Sequence, residues 1–377
     1  MPAYLDCNAT TPVEAEVADA IIRFTRDEYG NAGSRTHEFG MYAKQAVQKS
    51  RDQIRAVVDA EREEVIFTSG ATESDNLAIL GLAAEGEKLN KRHLVTTAIE
   101  HKAVLEPIEH LVGRGFEATT LPVDSGGRVN TQDVLAAVRD DTLLVSVMHV
   151  NNETGVIQPI DKIVAGLAGS DVYLHVDAAQ SFGKQLSTLK NKRIDLISVS
   201  GHKIYGPKGV GALVARRRGY KTIPLSPLMY GGGQERGLRP GTMPVPLAVG
   251  FGIAAELAAK NHKKRAERCI EIRKEALEAL CPLEPILHGD PENVAPHVLN
   301  ISLPGIDAEA AMVTLKGVAA ISNGSACTSH SYKPSHVLAA MGLTEDEIST
   351  ALRISWCHLT NYVDWGEIRD SLLALRR

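Results

Sequence analysis

"DVYLHVDAAQ" at residues 171–180 and "DLISVSGHK" at residues 195–203 set the fold. Each is a short apolar run that ends in polar or charged groups, and neither alternates cleanly between apolar and polar positions. Runs of this kind suit parallel strands covered on both faces. Outward from them the same pattern repeats in "TLLVSVMHV" (142–150) and "HLVTTA" (93–98). "EVIFTSG" (64–70) reads as a strand closed by a glycine turn, and "ATESDNLAILGLAA" (71–84) as the helix that follows it. In "GMYAKQAVQKSRDQIRAVV" (40–58), Ala43, Val47, Ile54 and Val58 share one face at helical spacing. Strand–helix alternation from about residue 40 to about 215 predicts an α/β unit, a mostly parallel sheet between helices. After about residue 244 the pattern changes to one long helical stretch, then "HVLNISLPG", "GVAAISNG" and "ALRISWCHL" as shorter strands. That predicts a smaller α+β domain. The expected division is a large domain over 14–257 and a small one built from 1–13 and 258–377.

Composition excludes several classes. The 377 residues carry a formal charge of −5, which gives no support to a nucleic-acid surface spread over the protein. The local basic runs, "RRR" at 216–218 and "KNHKKRAER" at 260–268, lack interleaved aromatics and read as solvated helix faces. The amino terminus has neither a basic start nor an apolar run, so no signal peptide is expected. The most apolar stretch, 245–255, is far short of the ~20 residues of a membrane span. The five cysteines (Cys7, Cys269, Cys281, Cys327 and Cys357) are scattered and form no C-x-x-C pair. They argue against a disulfide framework or a metal cluster and for a cytoplasmic protein.

Open α/β sheets bind ligands outside the carboxyl ends of their strands. The strand ends here deliver Ser69, Gly70, Ala71 and Thr72, then Glu100 and His101, then Asn151, Asn152 and Glu153. Two more deliver Asp177 with Gln180, and Ser200 with His202 and Lys203. Taken singly, Thr72 or Ser74 reads as a helix-start residue, Asp177 and the two asparagines as turn caps, and His101 as a structural histidine. Together they supply an anion cradle, a histidine, an amide, a carboxylate and an amine. A lysine for an imine, a carboxylate for a pyridinium nitrogen and an anchor for a phosphate are what a pyridoxal phosphate enzyme requires. Cys327 stands apart from the other cysteines. It sits among small polar residues in "SNGSACTSHSYKP", the composition of an exposed loop, whereas the other four lie in more apolar or helical surroundings and read as small buried side chains.

The order and spacing of "YLDCNATTP", "FTSGATESDN", "EHKAV", "HVNNETG", "HVDAAQ", "SGHKIYGPKG", "GGGQERGLRPGT" and "NGSACTS" resemble the cysteine desulfurases. These are pyridoxal phosphate enzymes of the aspartate-aminotransferase fold type, with a seven-stranded-type sheet in the large domain. The resemblance covers nearly the whole chain. It implies a cofactor bound covalently to Lys203, with Asp177 on the ring nitrogen, His101 stacked on the ring, and Gln180 and Asn152 near the ring hydroxyl. Ala71, Thr72, Ser200 and His202 would hold the phosphate, joined by Thr242 from the partner subunit of a homodimer. Arg353, with Asn152, would clamp the carboxylate of L-cysteine. Lys203 would move the Cα proton and His101 the thiol protons. Cys327 would take the sulfur as a persulfide, leave L-alanine, and pass the sulfur to an acceptor protein.

Three positions depart from the family pattern. Pro240 stands where the family has serine in "RSGT", Cys7 stands where an aromatic is common, and Trp356-Cys357-His358 replaces the usual glycine and arginine after "RIS". The last two changes either reshape the substrate entrance or repack it. The chain ends at "LLALRR", without the longer tail of the iron–sulfur housekeeping enzymes, so tRNA thiolation and DNA phosphorothioation stand beside iron–sulfur assembly as routes for the sulfur. A selenocysteine lyase or aminotransferase of the same fold type, or a non-catalytic sulfur-delivery subunit, are the competing readings. The intact lysine–aspartate–histidine set argues against the last.

Overall fold

The computed structural model describes residues 2–323 and 334–376. Its strands in chain order are β1 (Ala3–Tyr4), β2 (Val65–Thr68), β3 (His93–Thr97), β4 (Glu117–Leu121), β5 (Thr142–Ser146) and β6 (Tyr173–Asp177). They continue as β7 (Leu196–Ser200), β8 (Gly211–Ala215), β9 (Ile286–Leu287), β10 (Val298–Ser302), β11 (Ala319–Ala320) and β12 (Ala351–Ser355). Seven of them form one sheet in the order β2-β8-β7-β6-β5-β3-β4. The pairs β7–β6, β6–β5, β5–β3 and β3–β4 are parallel, and β8 runs against both β7 and β2.

The missing alternation in the sequence has a direct cause. Most strands of the sheet, the edge strand β2 among them, feed a hydrophobic cluster on both sides of it. Val65 and Phe67 face one cluster while Ile66 faces the other; Val95 and Leu94, and Val214 and Leu213, divide in the same way. Both faces are dry, so a polar position inside these strands is satisfied by another buried polar group, as His175 of β6 is by Ser198 of β7. Of the two edge strands, β2 is buried and β4 alone shows polar, exposed positions.

The helix Glu38–Val58 buries Ala43, Val47, Ile54 and Val58, the face expected from its periodicity. It packs against the amino-terminal part of a 36-residue helix, Val245–Leu280. That long helix joins two cores. Its first half contributes Val249, Phe251 and Ala258 to the large core, and its second half gives Cys269, Ile272, Ala276 and Leu280 to a separate cluster. This second cluster lies beneath the antiparallel sheet β12-β10-β9, with β1 pairing in parallel with β11. The chain's start therefore belongs with its end: the Cys7 N–H donates to the Ser355 carbonyl at 3.0 Å.

Two sequence expectations are corrected here. The "RRR" run is not a helix face; it follows β8 directly. Arg216 is buried and donates to main-chain carbonyls, including Leu189 at 2.8 Å, while Arg218 pairs with Asp195 at 2.7 Å. Carbonyls left over at helix and loop ends need donors, and a guanidinium supplies several in one plane. Cys281 is exposed rather than a small core residue, because it begins the turn that ends the long helix. The run 260–268 does lie on that helix, although Arg265 points inward to Glu14 at 2.6 Å.

Gly211 is where β8 passes the turn that closes β2. A Cβ there would lie 2.6 Å from the Gly70 Cα and 2.5 Å from the Val199 carbonyl oxygen, both main-chain atoms. Gly211→Ala is expected to cost about 1–3 kcal/mol through this overpacking, read as a lowered denaturation midpoint. An unchanged midpoint would show that the strand and turn can separate.

Candidate active site

A cavity of about 620 Å³ opens where five strands of the large sheet end. After β2 come Ser69, Gly70, Ala71 and Thr72; after β3 comes His101; after β5 come Met148, Val150 and Asn152. Asp177 and Gln180 arrive from β6, and Ser200, His202 and Lys203 from β7. Arg353 enters from β12 of the smaller unit. Twelve of the residues singled out from the sequence thus meet around one space. Thr242 does not line it; it lies beside Asn31, Lys44 and Glu235 in a separate hollow. Cys327 falls outside the described residues.

The Lys203 amine is held by main chain. It donates to the carbonyl oxygens of Asn8 and Ala9, at 2.5 and 2.9 Å. Asn8 is fastened in turn: its N–H donates to Ser355 Oγ at 2.9 Å, its side-chain amide to the Asn152 carbonyl at 3.0 Å, and its carbonyl also accepts from Gln180 at 2.9 Å. The sequence reading gave this "YLDCNATTP" segment no chemical role. Its signal was an asparagine and an aspartate in a short apolar-flanked stretch, which local patterns do not distinguish from a turn.

Arg353 is almost fully buried. Its guanidinium donates to the Asn152 carbonyl at 3.2 Å and pairs with Asp6 at 2.8 Å, and its Nε has no hydrogen-bond partner among the described residues. A buried guanidinium N–H without an acceptor is costly, and a carboxylate ligand is its natural complement.

The cavity floor is rich in carboxyl groups. Burial, and then the nearby Asp75 carboxylate, push Asp177 up to about 6, against the pull of the Ala179 N–H and His101. Asp177 does cap a turn, accepting from the Ala179 N–H at 2.8 Å, so both its roles from the sequence coexist. Burial pushes Asp75 up to about 7. Below Asp177, on the same side of β6, His175 is locked between Ser146 Oγ at 2.8 Å and Ser198 Oγ at 2.9 Å, with Asp75 at 3.4 Å. Burial holds His175 down to about 4, so this ring is neutral. His101 caps the helix Lys102–Val112, its Nδ1 accepting from the Ala103 N–H at 3.1 Å. Burial lowers its pKa, with Asp177 opposing and Lys203 assisting. Asn151 is the turn cap of its pair, accepting from the N–H groups of Glu153 and Thr154, whereas Asn152 faces the cavity.

At the anion end, the helix Ala71–Leu80 begins directly at Gly70, with no side-chain cap. Ser74 bonds back to the Gly70 carbonyl and Thr72 gives no cap, so neither serves as the helix-start residue expected from the sequence. The first N–H groups are left for a ligand. The departures at Cys7 and Cys357 lie together, buried against Tyr205. His358 packs edge-on to that ring at 4.4 Å and pairs with Glu14 at 3.0 Å. None of these three lines the cavity; they repack the wall behind it.

A half-buried amine, a buried carboxylate and an uncapped helix start meet at the strand ends of a mostly parallel sheet, chemistry that suits an anionic, amine-reactive ligand. Comparison with known proteins agrees. The family model described as aminotransferase class-V matches residues 3–368, and the chain belongs to that family. It is 45% identical over 358 residues to "Cysteine desulfurase IscS" of Photorhabdus laumondii, covering 94% of this chain and 88% of that protein. The solved structure of DndA from Streptomyces lividans is 50% identical, with a TM-score of 0.83, covering 93% of this chain and 98% of that one. A NifS-like protein superposes with a TM-score of 0.90 at 36% identity, covering 100% of this chain and 98% of that one.

Glu100, just before His101, is fully buried; Thr97 and the Met148 N–H donate to one oxygen, and the other has no partner among the described residues. Burial pushes it up to about 8, although those donors oppose the shift. Folded Glu100 therefore keeps a proton that the unfolded chain releases from about pH 4.5 upward, and its contribution to stability falls as pH rises toward about 8. The buried histidines held near 4, such as His175 and His149, take up protons on unfolding between about pH 4 and about pH 6.5 and add little slope above about pH 7. Glu100→Gln is expected to flatten the loss of stability between about pH 7 and about pH 8.5, measured by denaturant midpoints. An unaltered slope would place the titration elsewhere.

Proposed function

We propose that the protein is a pyridoxal phosphate-dependent cysteine desulfurase, taking sulfur from L-cysteine to give L-alanine and a persulfide on Cys327. The observation that carries the reading is the meeting of Lys203, Asp177 and the open start of the helix Ala71–Leu80 around one cavity. The residues fit the cofactor. A Cβ added at Gly70 would come no nearer than 3.7 Å to Ser200 Oγ, which leaves room above the free N–H groups for a phosphate. Among the described residues the buried Gln180 Oε1 and Arg353 Nε have no hydrogen-bond partner, which suits them to a ring hydroxyl and a substrate carboxylate.

The bound cofactor supplies an electron sink for the substrate Cα. Lys203 would hold it covalently, Asp177 would face its ring nitrogen, His101 its ring face, and Gln180 and Asn152 its hydroxyl. Ala71, Thr72, Ser200 and His202 would take the phosphate. His202 suits this as a neutral donor, because burial and the neighbouring Lys203 and Lys208 hold it down to about 4. Thr242, remote from its own chain's cavity, would reach that of a partner in a homodimer.

Arg353 and Asn152 orient the L-cysteine carboxylate. Lys203, released from its cofactor bond, takes the Cα proton and returns one to the carbon skeleton. His101, kept neutral by burial, accepts and donates the thiol proton. The Cys327 thiolate attacks the substrate sulfur; the S–C bond breaks, its electron pair stays on carbon, and that carbon is protonated to the methyl group of alanine. One thiol and one cysteine thus give one persulfide and one alanine, with no external oxidant or reductant. The persulfide passes to an acceptor protein serving iron–sulfur assembly, tRNA thiolation or DNA phosphorothioation. We place the enzyme in the cytoplasm; no helix among the described residues is long and apolar enough to cross a membrane. We also assign residues 14–257 to the large domain and 1–13 with 258–377 to the small one, the break falling inside the long helix between its two cores.

Cys327→Ala should retain the cofactor's absorbance and lose persulfide formation, followed by mass spectrometry of the protein after L-cysteine is added. Continued alanine release at the normal rate would remove Cys327 from the reaction. Lys203→Ala should lose both the cofactor's borohydride-reducible attachment and nearly all turnover. A covalent adduct persisting in that variant would assign the attachment to another amine.

A further inference from the structure

The segment 231–242 is fixed at two ion pairs. At the first, Arg51 grips Glu235 through two hydrogen bonds, at 2.6 and 2.8 Å, and the same carboxylate accepts from the Phe67 N–H at 2.8 Å. The pair is buried, with the guanidinium stacked 4.7 Å from the Phe67 ring centroid. Glu235 and Arg236 are both left-handed, with φ of 46° and 59°, a conformation that side-chain-bearing residues keep only when their surroundings enforce it. The second ion pair is between Arg239 and Glu73, at 3.0 Å, with the second guanidinium nitrogen 3.5 Å from the other carboxylate oxygen. Glu73 also accepts from the Ser69 N–H at 2.7 Å. Burial alone would raise this carboxyl, yet Arg239 and Ser69 hold it below the usual range, so it stays charged.

One carboxylate therefore touches two structures at once. On one side is the Ser69–Thr72 turn that lines the cavity's anion end. On the other is Arg239, three residues before Thr242 in a loop closed by the Gly241 N–H on Gln234 at 3.1 Å. Thr242 points away from its own cavity, and the loop is flanked by the exposed Met229 and Tyr230.

We infer that Glu73 is a positioning residue that couples the two cofactor cavities of the dimer, tying the phosphate turn of one protomer through Arg239 to the loop that protomer lends its partner. The inference rests on the dimeric reading of Thr242 given above. A phosphate settling on the Ser69–Thr72 turn fixes Glu73, Glu73 fixes Arg239, and Arg239 sets the loop that completes the second cavity. Coupling of this kind is reciprocal, so the second cofactor binds more tightly than the first.

The test titrates the full-length apoprotein with pyridoxal phosphate, following cofactor absorbance, with sedimentation velocity at each loading. The wild type is expected to bind with a Hill coefficient above one. Glu73→Gln should bind with a coefficient of one and about 5- to 10-fold more weakly, while remaining a dimer. Glu73→Asp should recover part of the cooperativity, and Arg239→Met should reproduce Glu73→Gln should that variant fold poorly. A wild-type coefficient of one in a stable dimer, or cooperativity retained in both Glu73→Gln and Arg239→Met, overturns the coupling and leaves the desulfurase reading intact. A monomer that binds the cofactor with full affinity overturns the coupling together with the role proposed for Thr242.

Discussion

The rest of the site depends on an amine held by two peptide carbonyls. Lys203 leaves the end of β7 and would otherwise bring a flexible positive charge into a closed space. The Asn8 and Ala9 carbonyls receive it, from a segment 195 and 194 residues away in the chain. That segment is itself pinned to Ser355, Asn152 and Gln180. Asp6, two residues before Asn8, pairs with Arg353. The same short strap thus sets both the Lys203 amine of the large unit and the Arg353 guanidinium of the small one, the two groups proposed to hold an amino acid. Displacing it would disturb both ends of a bound amino acid together.

Electrostatics completes the arrangement. Burial raises the proton affinity of Asp75, Glu100 and Asp177, and the Asp75 carboxylate adds to it at Asp177 and at Glu100. A floor of this kind is destabilised by its own negative charge and favours a cationic ring nitrogen placed against it. The histidines answer in the opposite sense, since burial keeps His175 and His202 uncharged at neutral pH. They act as fixed hydrogen-bonding groups rather than as cations, leaving Lys203, Lys208 and Arg353 as the positive groups of the cavity.

Much of this was legible in the chain before any coordinates. The dry strands announced a sheet covered on both faces, and Val95 and Leu94 do face opposite cores. The polar residues at five strand ends announced the site, and most of them line one cavity; Glu100, Asn151 and Glu153 do not, nor does Thr242. The departures at Cys7 and Cys357 were visible as departures; that they touch each other behind Tyr205 was not. Nor was the inward turn of Arg216, because a run of three arginines looks the same on a solvated helix and among unpaired carbonyls.

What the sequence determined alone was local: which segments are strands and which helices, and hence which side chains stand at strand ends. Period and composition carry that information because burial on one or both faces acts on every residue of a segment. What only the tertiary structure decided was the pairing of distant groups, such as Asp6 with Arg353, Asn8 with Lys203, and Glu73 with Arg239. These contacts join residues 347, 195 and 166 positions apart. No local period encodes them, because each arises from where whole elements come to rest after their apolar faces are buried.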